Sequence, residues 1–228
     1  MTGIPPRMSE KILIHQCQQK SYRHLLGDDA WFKLNPSIRQ RFGSHHQEAV
    51  VYGGIMEKVE SSLVGKIIAH LCRMIGSPLA PYTEDNVPMT VHVYYNELLD
   101  GLTWNRTYHY QHHPVAVAKS TKCINPKTGL MELVERGCGM DLTLSEESGA
   151  LHFHSTDYFC RVLGKKLRIP GLFTPGKTHV IQEAIDEINF RFTLKIVHPF
   201  FGRTFFQTGI FHEISEFESL IGMEQGIQ

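Results

Sequence analysis

The chain reads as an α+β protein in which a large, strongly curved antiparallel sheet, a partial-barrel meander, is covered by N-terminal helices. Three observations predict this. Helical patterns are confined to the first third of the 228 residues, and short alternating runs between turn residues fill the remainder. About eight successive strands with short connections imply a meander of antiparallel neighbours. A sheet of that size must curl or be covered to bury its apolar face, and the two helical stretches are the natural cover.

The first helical stretch runs from Asp28 to Phe42, with Asp28 or Asp29 near its start and Gly43 as its stop. Asn35-Pro36 divides it, and Pro36 opens the second piece. A short strand follows over Glu48 to Glu60, with Gly53-Gly54 as a bend or bulge. The clearest helix is Ser61 to Ile75. Leu63, Ile67, Leu71 and Met74 recur at helical spacing, Ile68, Cys72 and Ile75 broaden the stripe, and Gly76 with Pro78 ends it.

From Val87 onward the period changes to two. Val87, Met89, Val91, Val93 and Tyr95 form one face of a strand, and Asp100-Gly101 turns the chain into the next, Thr103 to His113. Val115 to Ile124 is closed by the turn Asn125–Gly129; Leu130 to Arg136 and Cys138 to Leu144 follow, with Gly137 and Gly139 kinking the passage between them. Ser148-Gly149 leads into Leu151 to Arg161, and a Gly-, Pro- and Lys-rich loop spans Gly164 to Lys177. The last strands are Thr178 to Glu187, Asn189 to Val197 and Arg203 to Glu213. Phe190, Phe192, Leu194 and Ile196 make the cleanest half-buried face in the chain. The expected organisation is an N-terminal extension over 1–20, one α+β domain over 21–214 and a tail over 215–228.

With 42% hydrophobic and 20% charged residues, the composition is that of a globular protein with a real core. Lys plus Arg equals Asp plus Glu at 23 each, which argues against a nucleic-acid partner. No apolar run is long enough to span a bilayer, and the first residues lack the features of a secretory signal. Five cysteines at wide spacing, without a CxxC pair, read as reduced thiols, and the expected location is cytoplasmic.

The most informative feature is an arginine where a core residue is expected. Trp104, Arg106, Tyr108, Tyr110 and His112 share the inward face of their strand, and Thr103, Asn105, Thr107, His109 and Gln111 share the solvent face. A buried guanidinium needs a carboxylate, an anionic ligand or trapped water. Two carboxylates stand on apolar faces: Glu135, beside Met131 and Leu133 and opposite Glu132, and Glu183, beside His179 and Ile181. Arg106, Glu135 and Glu183 thus form either a polar cluster in an aromatic cavity or a structural ion pair closing one end of the sheet.

His152 and His154 project on one side of a strand, but no third ligand stands at recognisable spacing, so no metal is expected and solvent-facing histidines are the default reading. There is no GxSxG, P-loop or GxGxxG signature, and no cofactor is implied.

The ordered signals resemble a bacterial family, the domain-of-unknown-function family numbered 4166. They are Trp104-x-Arg106-x-Tyr108, Glu135 near a glycine, Leu167-x-Ile-Pro170 with Pro175, Phe190-x-Phe192, and Pro199-x-x-Gly202 before Gly209. The similarity runs from about Tyr22 to Ile214. It marks Trp104, Arg106 and Glu135 as characteristic positions without assigning them a role. Phe206-Gln207-x-Gly209 stands where the family tends to have a tyrosine. Members also occur fused to saccharopine-dehydrogenase-like reductases, which implies a role beside a nicotinamide-dependent enzyme.

The leading expectation is a protein that binds an apolar or amphipathic acidic small molecule. Trp104, Tyr108 and the phenylalanine stripe would supply walls, and Arg106 would read the headgroup. An enzyme with Glu135 as general acid or base is the alternative, and a structural or interaction module the third.

Overall fold

The computed structural model describes residues 21–43, 49–72, 76, 79–125, 128–163 and 165–215. The expected extension over 1–20 and all but the first residue of the tail lie outside them. Eleven strands are joined in the order β6-β5-β4-β3-β2-β1-β11-β10-β9-β7-β8. They are β1 (Val50–Ser61), β2 (Glu84–Asn96), β3 (Gly101–Tyr108), β4 (Ala116–Asn125), β5 (Gly129–Leu133), β6 (Cys138–Glu147), β7 (Ala150–Val162), β8 (Lys165–Ile169), β9 (Lys177–Ala184), β10 (Phe190–His198) and β11 (Gly202–Ile214). Because β6 also pairs with β7, ten strands close into an antiparallel barrel, with β8 attached to β7. The curved sheet is therefore a closed barrel rather than a partial one.

Closure follows from irregularities in the strands. Register shifts at Met56/Lys58, Met140/Leu142 and Ile196/Val197 mark bulges, each of which sharpens local twist and bend. Where β1 crosses β11 the backbones nearly touch. A Cβ on Gly54 would lie 2.2 Å from the Ile210 carbonyl oxygen, and one on Gly209 would lie 2.4 Å from that of Ile55. Only glycine fits at either position.

Helices α1 (Tyr22–Leu26), α2 (Asp28–Lys33) and α3 (Pro36–Gly43) plug the end at which β1 begins. The short α1 has no counterpart in the sequence reading. Ser21 caps α1 by accepting from the His24 N–H, and Asn35 accepts from the Ser37 N–H at the start of α3. The Asn35 N–H donates to the Gly149 carbonyl, tying the helices to the β6–β7 turn. Tyr22, Trp31, Leu34, Ile38 and Phe42 are all buried in the barrel core. Burying each such side chain contributes about 1.5–3 kcal/mol, which is what holds these short helices.

Helix α4 (Leu63–Cys72) covers the opposite end. Ser62 caps it through the Gly65 N–H and donates its own N–H to the Thr204 carbonyl. The helix inverts the expected stripe. Gly65 and Ala69 face the barrel, while Leu63, Ile67 and Leu71 are 77%, 54% and 57% exposed. It is apolar around most of its circumference, so periodicity alone could not orient it. Met74 and Ile75 lie outside the described residues.

Three further expectations are corrected. The arginine strand ends at Tyr108 instead of His113, and Thr103 on its supposed solvent face is fully buried. The loop over 164–177 contains β8 and a 3-10 turn, Gly171–Phe173. Cys138 and Cys160 are direct cross-strand partners on β6 and β7 and form a disulfide, so these two are not reduced thiols; Cys72 and Cys123 are free.

The seat of α4 gives a direct test. A Cβ on Gly65 would stand 1.9 Å from the Thr204 carbonyl oxygen. Gly65→Ala is expected to cost about 1–3 kcal/mol in a denaturant titration. Unchanged stability would show that α4 does not rest on β11 in this way.

Candidate functional site

Three adjacent strands build a polar cluster inside the barrel. The β3–β4 register places Trp104 opposite Ser120 and Arg106 opposite Ala118, and the β4–β5 register places Lys122 opposite Glu132. Trp104, Arg106, Lys122 and Glu132 all line one interior cavity. The Arg106 guanidinium donates from Nε to the Ala118 carbonyl at 3.3 Å and from Nη2 to Ser120 Oγ at 2.7 Å. Lys122 Nζ lies 3.3 Å from Glu132 Oε2, with each side chain 9% exposed. Ser120 also hydrogen-bonds the Glu132 carboxyl. The ammonium of Lys122 stands 5.0 Å from the centre of the Trp104 ring. Trp104 Nε1 is buried and has no acceptor.

Burial pushes the Glu132 carboxyl up, but Lys122, Arg106 and the Ser120 hydrogen bond outweigh it and hold it below the usual carboxylate range. Burial pulls the Lys122 ammonium down, and the Arg106 charge adds to that, against the attraction of Glu132. Among the described residues lining the cavity there are two cations and one carboxylate. The cluster therefore carries an excess positive charge in a low-dielectric space.

The cavity measures about 320 Å³, at the lower end of the range of small-molecule sites. It begins at Phe42 and Tyr52 near the helical plug, passes Phe153, Phe190, Phe192 and Leu194, and ends beneath Ile68, Leu71 and Phe173. Beside the cavity, β7 forks. Leu151–His154 pairs with β9, whereas Tyr158–Val162 pairs with β8, so the wall parts between them. Tyr158 bridges the fork through a 2.6 Å hydrogen bond with Thr178 Oγ1, and the Thr178 N–H donates to Ser155 Oγ at 2.8 Å. Burial raises the Tyr158 hydroxyl to about 12, so it remains a neutral hydrogen-bonding group.

Trp104 and Arg106 thus stand where the sequence places them. Tyr108 does not reach the cavity; it is buried in the core and donates to Gln207 Oε1 at 3.1 Å. Glu183 is exposed on the outer wall, because the inward face of β9 is Thr178, Val180 and Gln182. The backbone of Glu135 belongs to a 3-10 turn, Glu135–Gly137, and its side chain lies outside the described part of the structure. The carboxylate near Arg106 is Glu132, which sequence reasoning assigned to the wrong face. Met131 and Leu133 point outward instead, into a small second cluster with Cys123 and Phe159. A strand buried on both sides gives no polarity cue to its faces. One signal was present: pairing Asn125 with Gly129 across the turn and counting back brings Lys122 opposite Glu132.

The outer wall carries a second cluster. His152 and His154 are joined by His179 from β9, the third imidazole that the sequence spacing did not reveal. His152 is buried rather than solvent-facing. No helix among the described residues is long and apolar enough to cross a membrane.

The family described as Domain of unknown function (DUF4166) matches residues 34–211, and the chain belongs to it. Comparisons with curated proteins and with solved structures find no match.

The charge balance makes the two cations unequal. Glu132→Gln leaves both unpaired and is expected to cost about 3–5 kcal/mol. Arg106→Met leaves the Lys122–Glu132 pair intact and is expected to cost less than about 1 kcal/mol in the ligand-free protein. Since the folded-state pKa of Glu132 is depressed, its contribution is full above the ordinary value of 4.5 and is lost as pH falls through the folded value. Glu132→Gln should flatten that part of the acid limb. A larger loss for Arg106→Met than for Glu132→Gln would show that Arg106 is the strut.

Proposed function

We propose that this barrel binds an amphipathic anion, with an apolar body lying along the cavity and a carboxylate or phosphate held by Arg106 and Lys122. The observation that carries this reading is the uncompensated cation at the floor of an otherwise apolar cavity. Ten strands enclose more width than side chains readily fill, which gives the ligand its room.

The α4 end of the cavity supports the same class of ligand. Leu71 on α4 and Phe173 in the 3-10 turn line the cavity and are both more than half exposed. Such exposed apolar surface on the lining favours entry of a greasy molecule. A general acid at the carboxylate is the weaker reading, because Lys122 and Arg106 favour an ionised Glu132 that acts as a fixed counter-ion.

Calorimetry on delipidated protein tests the proposal with four twelve-carbon probes: dodecanoate, dodecyl phosphate, dodecanol and dodecylamine. One anion is expected to bind at least about tenfold more tightly than the alcohol, the worth of a charge-assisted hydrogen bond in a dry site. Arg106→Met should erase that preference while the protein stays folded. Equal affinity for the alcohol and the anions, or no binding by any probe, would overturn it.

A further inference from the structure

The outer wall of the barrel carries a site that the cavity does not involve. His152 and His154 alternate on β7, and His154 stands directly opposite His179 on β9. A candidate ligand atom from each of the three side chains lies within 4.8 Å of the others. His152 Nδ1 and His179 Nε2 are 2.8 Å apart, and the His154 and His179 rings are stacked with centroids 4.3 Å apart. Three imidazoles on two rigid strands form a facial set of nitrogen donors. For a tetrahedral ion with metal–nitrogen bonds of about 2.0–2.1 Å, the nitrogens must stand roughly 3.3 Å apart. The three rings lie within 30° of parallel, so binding requires them to turn until their lone pairs converge on the ion.

The surroundings hold the rings as ligands are usually held. The His152 ring hydrogen-bonds the Glu147 backbone carbonyl, and Ser145 Oγ lies 3.0 Å from His154 Nε2. A nitrogen that donates to an oxygen leaves the other nitrogen's lone pair for a metal. The Glu147 carboxylate acts on both His152 and His179, against the nearby Lys195 charge on His179, and gives the site a negative neighbour.

We infer that His152, His154 and His179 form a binding site for a borderline divalent cation, zinc(II) or a close analogue, with a fourth position left to water. An all-imidazole set suits this class and not the hard cations magnesium and calcium. The position also suggests what the ion does. The β7–β9 pairing has only four residue pairs, Leu151–His154 with Gln182–His179, and the fork in the barrel wall begins immediately beyond it. The ion fastens β7 to β9 at the base of that fork.

The test uses the full chain without a polyhistidine tag, titrated with Co²⁺ alone and then with Zn²⁺. One equivalent of Co²⁺ should produce the visible bands of a four- or five-coordinate nitrogen and oxygen site, and Zn²⁺ should displace it. His179→Gln should weaken binding by about a hundredfold or more, whereas His112→Gln with His113→Gln should leave it unchanged. Zn²⁺ should slow amide exchange in 151–154 and 179–182 of the wild-type chain, a readout that needs no variant. A sulfur-to-cobalt charge-transfer band, equal binding by His179→Gln, or exchange unaltered by Zn²⁺ would overturn the inference.

Discussion

A buried guanidinium and a buried ammonium share one carboxylate inside this barrel, and the rest of the interior is arranged around that imbalance. Removing such groups from water costs several kcal/mol each, and pairing recovers the cost only where geometry and hydrogen bonds are complete. Lys122 and Glu132 meet that condition across β4 and β5, with Ser120 as a further partner. Arg106 meets it in part, through a carbonyl and a hydroxyl that carry no charge. The remaining positive potential faces an apolar cavity, and the proposed preference for an anion rests on it.

The container follows from closing the sheet. Bulges in β1, β7 and β11 and the glycine crossing of β1 on β11 bend ten strands into a barrel. The N-terminal helices fill one end with Tyr22, Trp31, Ile38 and Phe42. Among the described residues, helix α4, the 3-10 turn and the β10–β11 turn lie at the other end. At the fork, β7 and β9 share a ladder of four residue pairs, and the histidine cluster lies on its outer face.

Much of this was legible in residues whose pattern had one meaning. Phe190, Phe192, Leu194 and Ile196 alternate with polar residues and do face the interior. Trp104 and Arg106 were placed correctly for the same reason. Where both faces of a strand are buried, or a helix is apolar on most sides, the pattern does not say which face is inward. Met131 and Leu133 on β5 looked inward but pack on the outside, so Glu132 was passed over. His179 and Ile181 gave β9 a false inner face and drew in Glu183. Leu63, Ile67 and Leu71 formed the most regular helical stripe and are exposed. Long-range partners were invisible for a different reason. Cys138 with Cys160, and His154 with His179, meet only once the strand order is known, and no local spacing encodes that.

The proposed function requires the barrel interior to stabilise a negative charge. Dodecanoate labelled with ¹³C at its carboxyl carbon reports this directly, because that resonance differs between the ionised and protonated forms. Bound to the protein, it should stay at the ionised position as pH falls through the range in which the free acid titrates, since Arg106 and Lys122 favour the anion. A bound resonance that titrates with the free acid, or that sits at the protonated position at neutral pH, would contradict the account.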